Sequence, residues 1–320
     1  MADPAQVFVV GCYRSGTTLV ERMVSCHPQA TGLGFETLLL THVVPHRPLP
    51  AFNAREWEKP LQRERPGAHS WEQVEPDRRT VFDAIARHLA LERDASVFVE
   101  KTPFHLFHAE RILSRDPEAK IVHVLRDGRD VVTSVLAGDY PVDRWPTRRL
   151  RLLAACALWE LFAWEGQRLS QLEGDRLQTL RYEDVVKAPH AALERIAEFL
   201  NLDRSDTTLA TWFTSTSKIG SNSSFEPLRG ISNQPVCRWV EPGNLNPGEA
   251  AVIDNLLAPT LELVGYEPAG ARLTPFRGCT AKVEKQLLAL WRVARFRANT
   301  ALLPPPRLWR YLRQSARRRA

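Results

Sequence analysis

No run of about 18 apolar residues occurs anywhere in the 320-residue chain, so no membrane-spanning helix is expected. Met1-Ala2-Asp3-Pro4 is not a basic leader, and no apolar signal-peptide core follows it. Cysteine is scarce. The five residues at 12, 26, 156, 237 and 279 are odd in number and lack CxxC spacing. That argues against a disulfide framework or a zinc site, and for a reducing, cytoplasmic setting. Acid is nearly missing from the last forty residues: 281–320 hold 11 Lys and Arg against the single Glu284, a charge of +10. The whole chain carries +6, which leaves −4 for residues 1–280. The basic balance therefore belongs to a tail, and the body does not read as a nucleic-acid-binding surface. Internal repeats are also lacking.

What is present is a sizeable core, with 44% hydrophobic and 25% charged residues. Its first segment is Val7-Phe8-Val9-Val10-Gly11-Cys12-Tyr13-Arg14-Ser15-Gly16-Thr17-Thr18-Leu19. Four apolar residues predict a buried strand, and a glycine-bounded turn leads into a helix over about 18–27, ended by His27-Pro28. Gly11 and Gly16 stand five apart, as in loops that cradle phosphate with backbone N–H groups at a helix N-terminus. The lysine position of the nucleotide-hydrolase version of that loop is Thr17 here, and the loop's cation is Arg14. The pattern suits a phosphate-like anion rather than Lys-plus-Mg²⁺ chemistry. An ordinary strand-to-helix turn is the plainer alternative.

Further strands are expected at 97–101, 120–125 and 177–180. Helices are expected at 77–93, 104–114, 131–136, 147–172, 189–200 and 247–263, with a short extended piece at 32–36. Residues 45–76 read as a long loop of lid or substrate-contact type, and 214–247 as a polar loop able to close over an anion. Strands alternate with helices, so the fold class is α/β with a mostly parallel, phosphate-loop-containing sheet flanked by helices. One domain is expected over 1–268, with a basic amphipathic extension over 269–320.

Three charged positions fall where open α/β sheets present ligands, beyond the carboxyl ends of strands. Glu36 sits just past the apolar body of the piece at 32–36; it equally suits a cap on the segment 37–44. Lys101 ends the strand 97–101, where a solvated lysine is the plainer alternative. Arg126 opens Arg126-Asp127-Gly128-Arg129-Asp130, a second anion-binding corner with Ser134 in its helix. Asp127 and Asp130 read as groups that orient the arginines, and His123 as a core histidine.

Taken together these blocks resemble the sulfotransferases that use 3′-phosphoadenosine-5′-phosphosulfate (PAPS), over about residues 7–266. Tyr13-Arg14-Ser15-Gly16-Thr17-Thr18 is similar to the family's 5′-phosphosulfate loop. Arg126 with Ser134 is similar to its 3′-phosphate motif, and Arg181-Tyr182-Glu183-Asp184 to the segment whose tyrosine contacts the adenosine. Glu100-Lys101-Thr102-Pro103 resembles the strand end whose lysine reaches the transferring sulfuryl group. The chain looks nearest to bacterial members and the protein-tyrosine sulfotransferase branch. There a carboxylate after the first helix acts as general base, which implies Glu36. Ser217-Lys218-Ile219, Ser223 and Arg238-Trp239 are similar to a later pattern, implying Ser223 near the bridging region of PAPS and Arg238 at its phosphates.

Three departures stand out. The gap from His27 to Glu36 is one residue longer than in that branch. Pro103 stands where the small-molecule branch has its base, leaving His105 as the reserve base. Arg238 replaces a usual lysine. The resemblance implies transfer of the sulfuryl group by in-line displacement to an acceptor hydroxyl. In it Glu36, Arg14, Lys101 and Ser223 are catalytic. Arg14, Ser15, Gly16, Thr17, Thr18, Arg126, Ser134, Tyr182, Ser223 and Arg238 hold PAPS, and no metal is required.

A small molecule, glycan, lipid or protein tyrosine all remain open as acceptor. A small-molecule kinase and a non-catalytic membrane-docking adaptor are the competing readings. The interleaved Trp, Leu and Arg of 281–320 suit peripheral contact with the anionic inner membrane face or an acidic partner, and equally a solvated tail.

Overall fold

The computed structural model describes residues 3–34, 36–37, 40, 78–138, 146–217, 231, 236–270 and 282–283. Almost all of the expected tail, the loop 45–76 and Ser223 lie outside the described residues. Five parallel strands form one sheet: β1 (Ala5–Gly11), β2 (Ala30–Gly32), β3 (Val97–Lys101), β4 (Lys120–Leu125) and β5 (Leu177–Arg181). Their order across the sheet is β2-β3-β1-β4-β5.

Alternation along β1 explains the two layers. Phe8 and Val10 point into one core with Phe98, Ile121 and Leu125, while Val7 and Val9 point into the other with Val99, Val122 and Val124. Both faces are covered, so the strands read as nearly continuous apolar runs. Helices α1 (Thr17–Ser25), α2 (Arg78–Arg93), α3 (Ala109–Arg115), α4 (Gly128–Leu136), α5 (Arg148–Leu172), α6 (Tyr182–Lys187), α7 (Pro189–Leu200), α8 (Asp206–Ser217) and α9 (Pro247–Leu263) complete the fold. No helix among the described residues is long and apolar enough to cross a membrane.

Local chemistry sets several boundaries. Thr147 caps α5 by accepting from the Leu150 N–H. Asn246 and Glu249 form a reciprocal capping box at α9, with Pro247 in its first turn. Four expectations need correction. The extended piece expected at 32–36 is the strand β2 at Ala30–Gly32. The segment 104–114 is not one helix: Pro103–His108 is a 3-10 turn, and α3 follows it. α4 begins at Gly128 rather than 131. Part of the polar stretch 214–247 belongs to α8, which runs to Ser217. That helix is anchored by Trp212, fully buried with its indole N–H donating to the Met23 carbonyl at 2.7 Å.

His123 sits inside β4, and burial lowers its ring to about 4. The unfolded imidazole, near 6.5, takes a proton that the folded chain refuses, so this group costs stability as pH falls from about 6.5 towards 4. The cost at the lower end is on the order of 3 kcal/mol. His123→Gln should therefore lose less melting temperature than the wild type between about pH 7 and pH 4.5. Parallel losses in thermal melts would show that His123 does not carry this dependence.

Candidate functional site

The carboxyl ends of the strands gather the chemistry. β1 runs into the loop that carries Arg14, and β2 into the turn that leads to Glu36. β3 ends in Lys101, β4 is followed by Arg126 and β5 by Tyr182. Open parallel sheets bind ligands at this edge, where loops diverge at a switch in strand order. Here the switch lies at β1, because the chain passes from β3 across it to β4.

The β1–α1 loop is built to leave donors facing outward. Gly16 occupies the helix N-cap with φ 92, a left-handed conformation that disfavours side chains, and offers no side-chain cap. The first turn of α1 contains no acid. Its N–H groups and positive dipole end are thus left for an anion. Ser15 and Thr17 are buried within the loop, and Thr18 is exposed. Arg14 is also left-handed, at φ 67, a strained conformation for a residue with a side chain. Two contacts hold it: Arg126 Nη1 donates to the Arg14 carbonyl at 2.9 Å, and Arg14 Nε donates to Ser134 Oγ at 3.0 Å.

Those bonds join the two expected phosphate corners into one constellation. Trp159 on α5 fixes the backbone beneath it by donating from its indole to the Arg126 carbonyl at 2.9 Å. Glu183 accepts from the Asp127 N–H at 2.9 Å and from the Tyr266 hydroxyl at 2.7 Å. The second corner differs from expectation in one respect. Asp127 caps α4 by accepting from the Arg129 N–H, and Asp130 adds an acid to the first turn. One N–H of this helix start is thus already taken and an acid stands in its first turn, which makes it a poorer anion site than the start of α1.

Asp127 does orient an arginine, pairing with Arg129 at 2.7 Å, while Asp254 takes the other side of that guanidinium at 2.9 Å. Asp130 does more. It accepts from the N–H groups of Cys237 at 2.8 Å and Trp239 at 3.1 Å, which docks the turn Arg238–Val240 against α4. Its carboxyl also lies 3.8 Å from Arg126. Burial pushes the Asp130 carboxyl up to about 6, against the pull of Arg126 and the Trp239 N–H. The two N–H bonds dock the backbone on either side of Arg238 against Asp130, while the Arg238 side chain lies 3.7 Å from Glu241. Tyr182 is buried, with the Arg126 guanidinium 4.6 Å over its ring.

The second half of the site is a charged pair. Lys101 Nζ contacts Glu36 Oε1 at 3.1 Å; the lysine is nearly buried, and the carboxylate is 30% exposed. Gly34 lies between His27 and Glu36. This residue turns with φ 74 and donates its N–H to Glu21 Oε1 at 3.2 Å. Burial raises the Glu21 carboxyl, a tendency that nearby Lys101 opposes.

Glu100, one residue before Lys101, is fully buried. Its Oε1 accepts from the Thr37 N–H (3.2 Å), Thr37 Oγ1 (2.7 Å) and Thr102 Oγ1 (2.6 Å). His105 Nδ1 lies 2.7 Å from its Oε2. Burial alone would raise this carboxyl, but His105 and the two threonines hold it below the ordinary value. Glu100, Thr37 and Glu21 were not singled out from the sequence. The available signal was two adjacent charges at the end of an otherwise apolar strand.

The family model described as the sulfotransferase family matches residues 4–206 of the chain. The chain is 26% identical over 271 residues to protein-tyrosine sulfotransferase 2 of Gallus gallus, covering 82% of this chain and 69% of that protein. It is likewise 26% identical over 271 residues to protein-tyrosine sulfotransferase A of Caenorhabditis elegans, covering 82% and 67%. Among solved structures it resembles the sulfotransferase domain of the Synechococcus PCC 7002 olefin synthase. That likeness has a TM-score of 0.51 and 17% identity, and covers 92% of this chain and 96% of that one.

A Cβ added at Gly16 would lie 2.3 Å from Tyr182 Cδ2, at a backbone angle that already disfavours one. Gly16→Ala should therefore destabilise the chain by about 1–3 kcal/mol. A melting temperature equal to the wild type would contradict the packing of this loop on Tyr182.

Proposed function

Because the chain belongs to the sulfotransferase family, whose members move the sulfuryl group of PAPS to an acceptor hydroxyl, we propose that Glu36 is its general base. The observation that carries this reading is the Glu36–Lys101 contact of 3.1 Å at the sheet edge that also carries the Arg14–Ser134–Arg126 constellation. The residues suit the co-substrate. An uncapped helix start and Arg14 offer donors to the 5′ end, with Ser15, Gly16, Thr17 and Thr18 forming the cradle. Arg126 and Ser134 offer donors to the 3′-phosphate. Tyr182 lines the floor between these two ends, and Arg238 approaches with the turn docked on Asp130.

In this reading Glu36 takes the proton of the acceptor hydroxyl as its oxygen bonds to sulfur. The bond from sulfur to the 5′-phosphate oxygen breaks, and the electron pair leaves with 3′-phosphoadenosine-5′-phosphate (PAP). Lys101 and Arg14 face the charge that develops on the sulfuryl oxygens and the leaving phosphate. Ser223 is retained as a proposed contact to the bridging region on the resemblance alone. His105 is disfavoured as base: its ring is fully buried and its Nδ1 is engaged by Glu100.

The acceptor carries a hydroxyl, and we propose a protein tyrosine. The names of the relatives support it, and so does chemistry, because a phenol gives up its proton to a carboxylate more readily than an aliphatic alcohol does.

Glu36→Gln should lower turnover by about 10²–10⁴-fold while leaving PAP affinity unchanged. Undiminished turnover would remove Glu36 as the base. Arg126→Ala should weaken PAP binding by roughly 10- to 100-fold in a calorimetric titration, the scale of a lost charged hydrogen bond. Unchanged affinity would remove Arg126 from the nucleotide site. Transfer from ³⁵S-labelled PAPS to a tyrosine peptide tests the acceptor; label confined to glycan, lipid or small molecules of a lysate would replace tyrosine.

A further inference from the structure

β3 ends in two consecutive charged residues that face opposite sides of the sheet. Glu100 stands in register with Phe8 and faces the core that holds His105, while Lys101 stands in register with Val9 and faces the α1 side. The loop after β2 answers them with two consecutive residues of its own. Thr37 binds Glu100 through both its N–H and its hydroxyl, and Glu36 binds Lys101. The Thr37 N–H belongs to the peptide whose carbonyl is that of Glu36. Holding that nitrogen therefore fixes the backbone from which the Glu36 side chain extends.

Glu100 itself is 1% exposed. It is immobilised by Thr102 and His105, so it is a rigid post rather than a mobile acceptor. On the other side of Glu36, Gly34 is tied to Glu21. The segment is thus fastened on both flanks by buried carboxylates, neither of which faces solvent.

We propose that Glu100 is a positioning residue: acting through Thr37, it fixes the Glu36 carboxylate on Lys101 before an acceptor arrives. The proposal rests on Glu36 being the base. Glu100 touches neither donor nor acceptor in this scheme. Its contribution is preorganisation, which removes from the chemical step the need to find one geometry among many. Losing that hold should affect the chemical step and spare the proposed nucleotide site, which draws on the loops after β1, β4 and β5 and on the Arg238 turn.

The test combines Thr37→Val, Thr37→Ser and Glu100→Gln with Glu36→Gln in the full chain. The readouts are transfer from ³⁵S-labelled PAPS to a tyrosine peptide and calorimetric titration with PAP. Thr37→Val keeps the shape and the N–H but deletes the hydroxyl donor. It should lower kcat by about 10- to 100-fold with KM for PAPS and affinity for PAP unchanged. Thr37→Ser should restore most of the loss, and Glu100→Gln should lower kcat at least as far as Thr37→Val.

Placed in the Glu36→Gln background, Thr37→Val should cost nothing further, because there is no longer a base to position. The proposal is overturned if Thr37→Val leaves kcat unchanged. It is also overturned if the variant costs as much in the Glu36→Gln background or weakens PAP binding in parallel, since either result marks a general structural role. Wild-type turnover in Glu36→Gln alone is a different failure: it removes the base, and this inference with it.

Discussion

Two adjacent charges end a strand that is otherwise wholly apolar, and neither is in water. Glu100 and Lys101 are 1% and 6% exposed. Burying a charge without partners costs several kcal/mol, so the chain after β2 must fold back over the strand end to supply them. Thr37 and Glu36 do so. That single demand places a half-exposed carboxylate beside a lysine at the carboxyl edge of the sheet. The proposed reacting half of the site follows from it.

The nucleotide half is governed by a contrast between two helix starts. α1 begins at a glycine, with no side-chain cap and no acid in its first turn. α4 begins at Asp127, which caps it, and carries Asp130 one residue after Arg129. The first therefore leaves its dipole and N–H donors open to a ligand, while the second has one N–H capped and its dipole offset by two acids. What α4 offers is positioning. Asp127 and Asp254 orient Arg129, Asp130 docks the turn that carries Arg238, and Ser134 meets Arg14 across the site. In the proposed site, one end of the nucleotide would meet mainly backbone and the other mainly side chains.

Much of this was legible in the sequence, for physical reasons. Strands buried on both faces leave mainly apolar runs rich in Val, so β1, β3 and β4 stand out, whereas β5 shows only Leu177 and Leu180 among polar residues. The five-residue glycine spacing marks the loop, and charges just beyond strand ends mark Lys101 and Arg126. The less legible parts depend on long-range partners. The burial of Glu100 is hard to read locally, because Thr37, which gives it two of its donors, lies 63 residues away. α8 is rich in Thr and Ser and lacks a clear apolar stripe, and its identity comes from Trp212 bonding to Met23 across the chain. Asp130 read as a partner for arginine, yet its main work is to receive two N–H groups from a turn more than one hundred residues away.

A site with separate grips for two phosphate ends and no need of a metal can be measured by calorimetry in EDTA. PAP and adenosine 5′-monophosphate differ only by the 3′-phosphate. PAP should bind without Mg²⁺, and at least about tenfold more tightly than the monophosphate, the least that charged contacts to that group should contribute. Equal affinities, or binding that appears only when Mg²⁺ is restored, would contradict it.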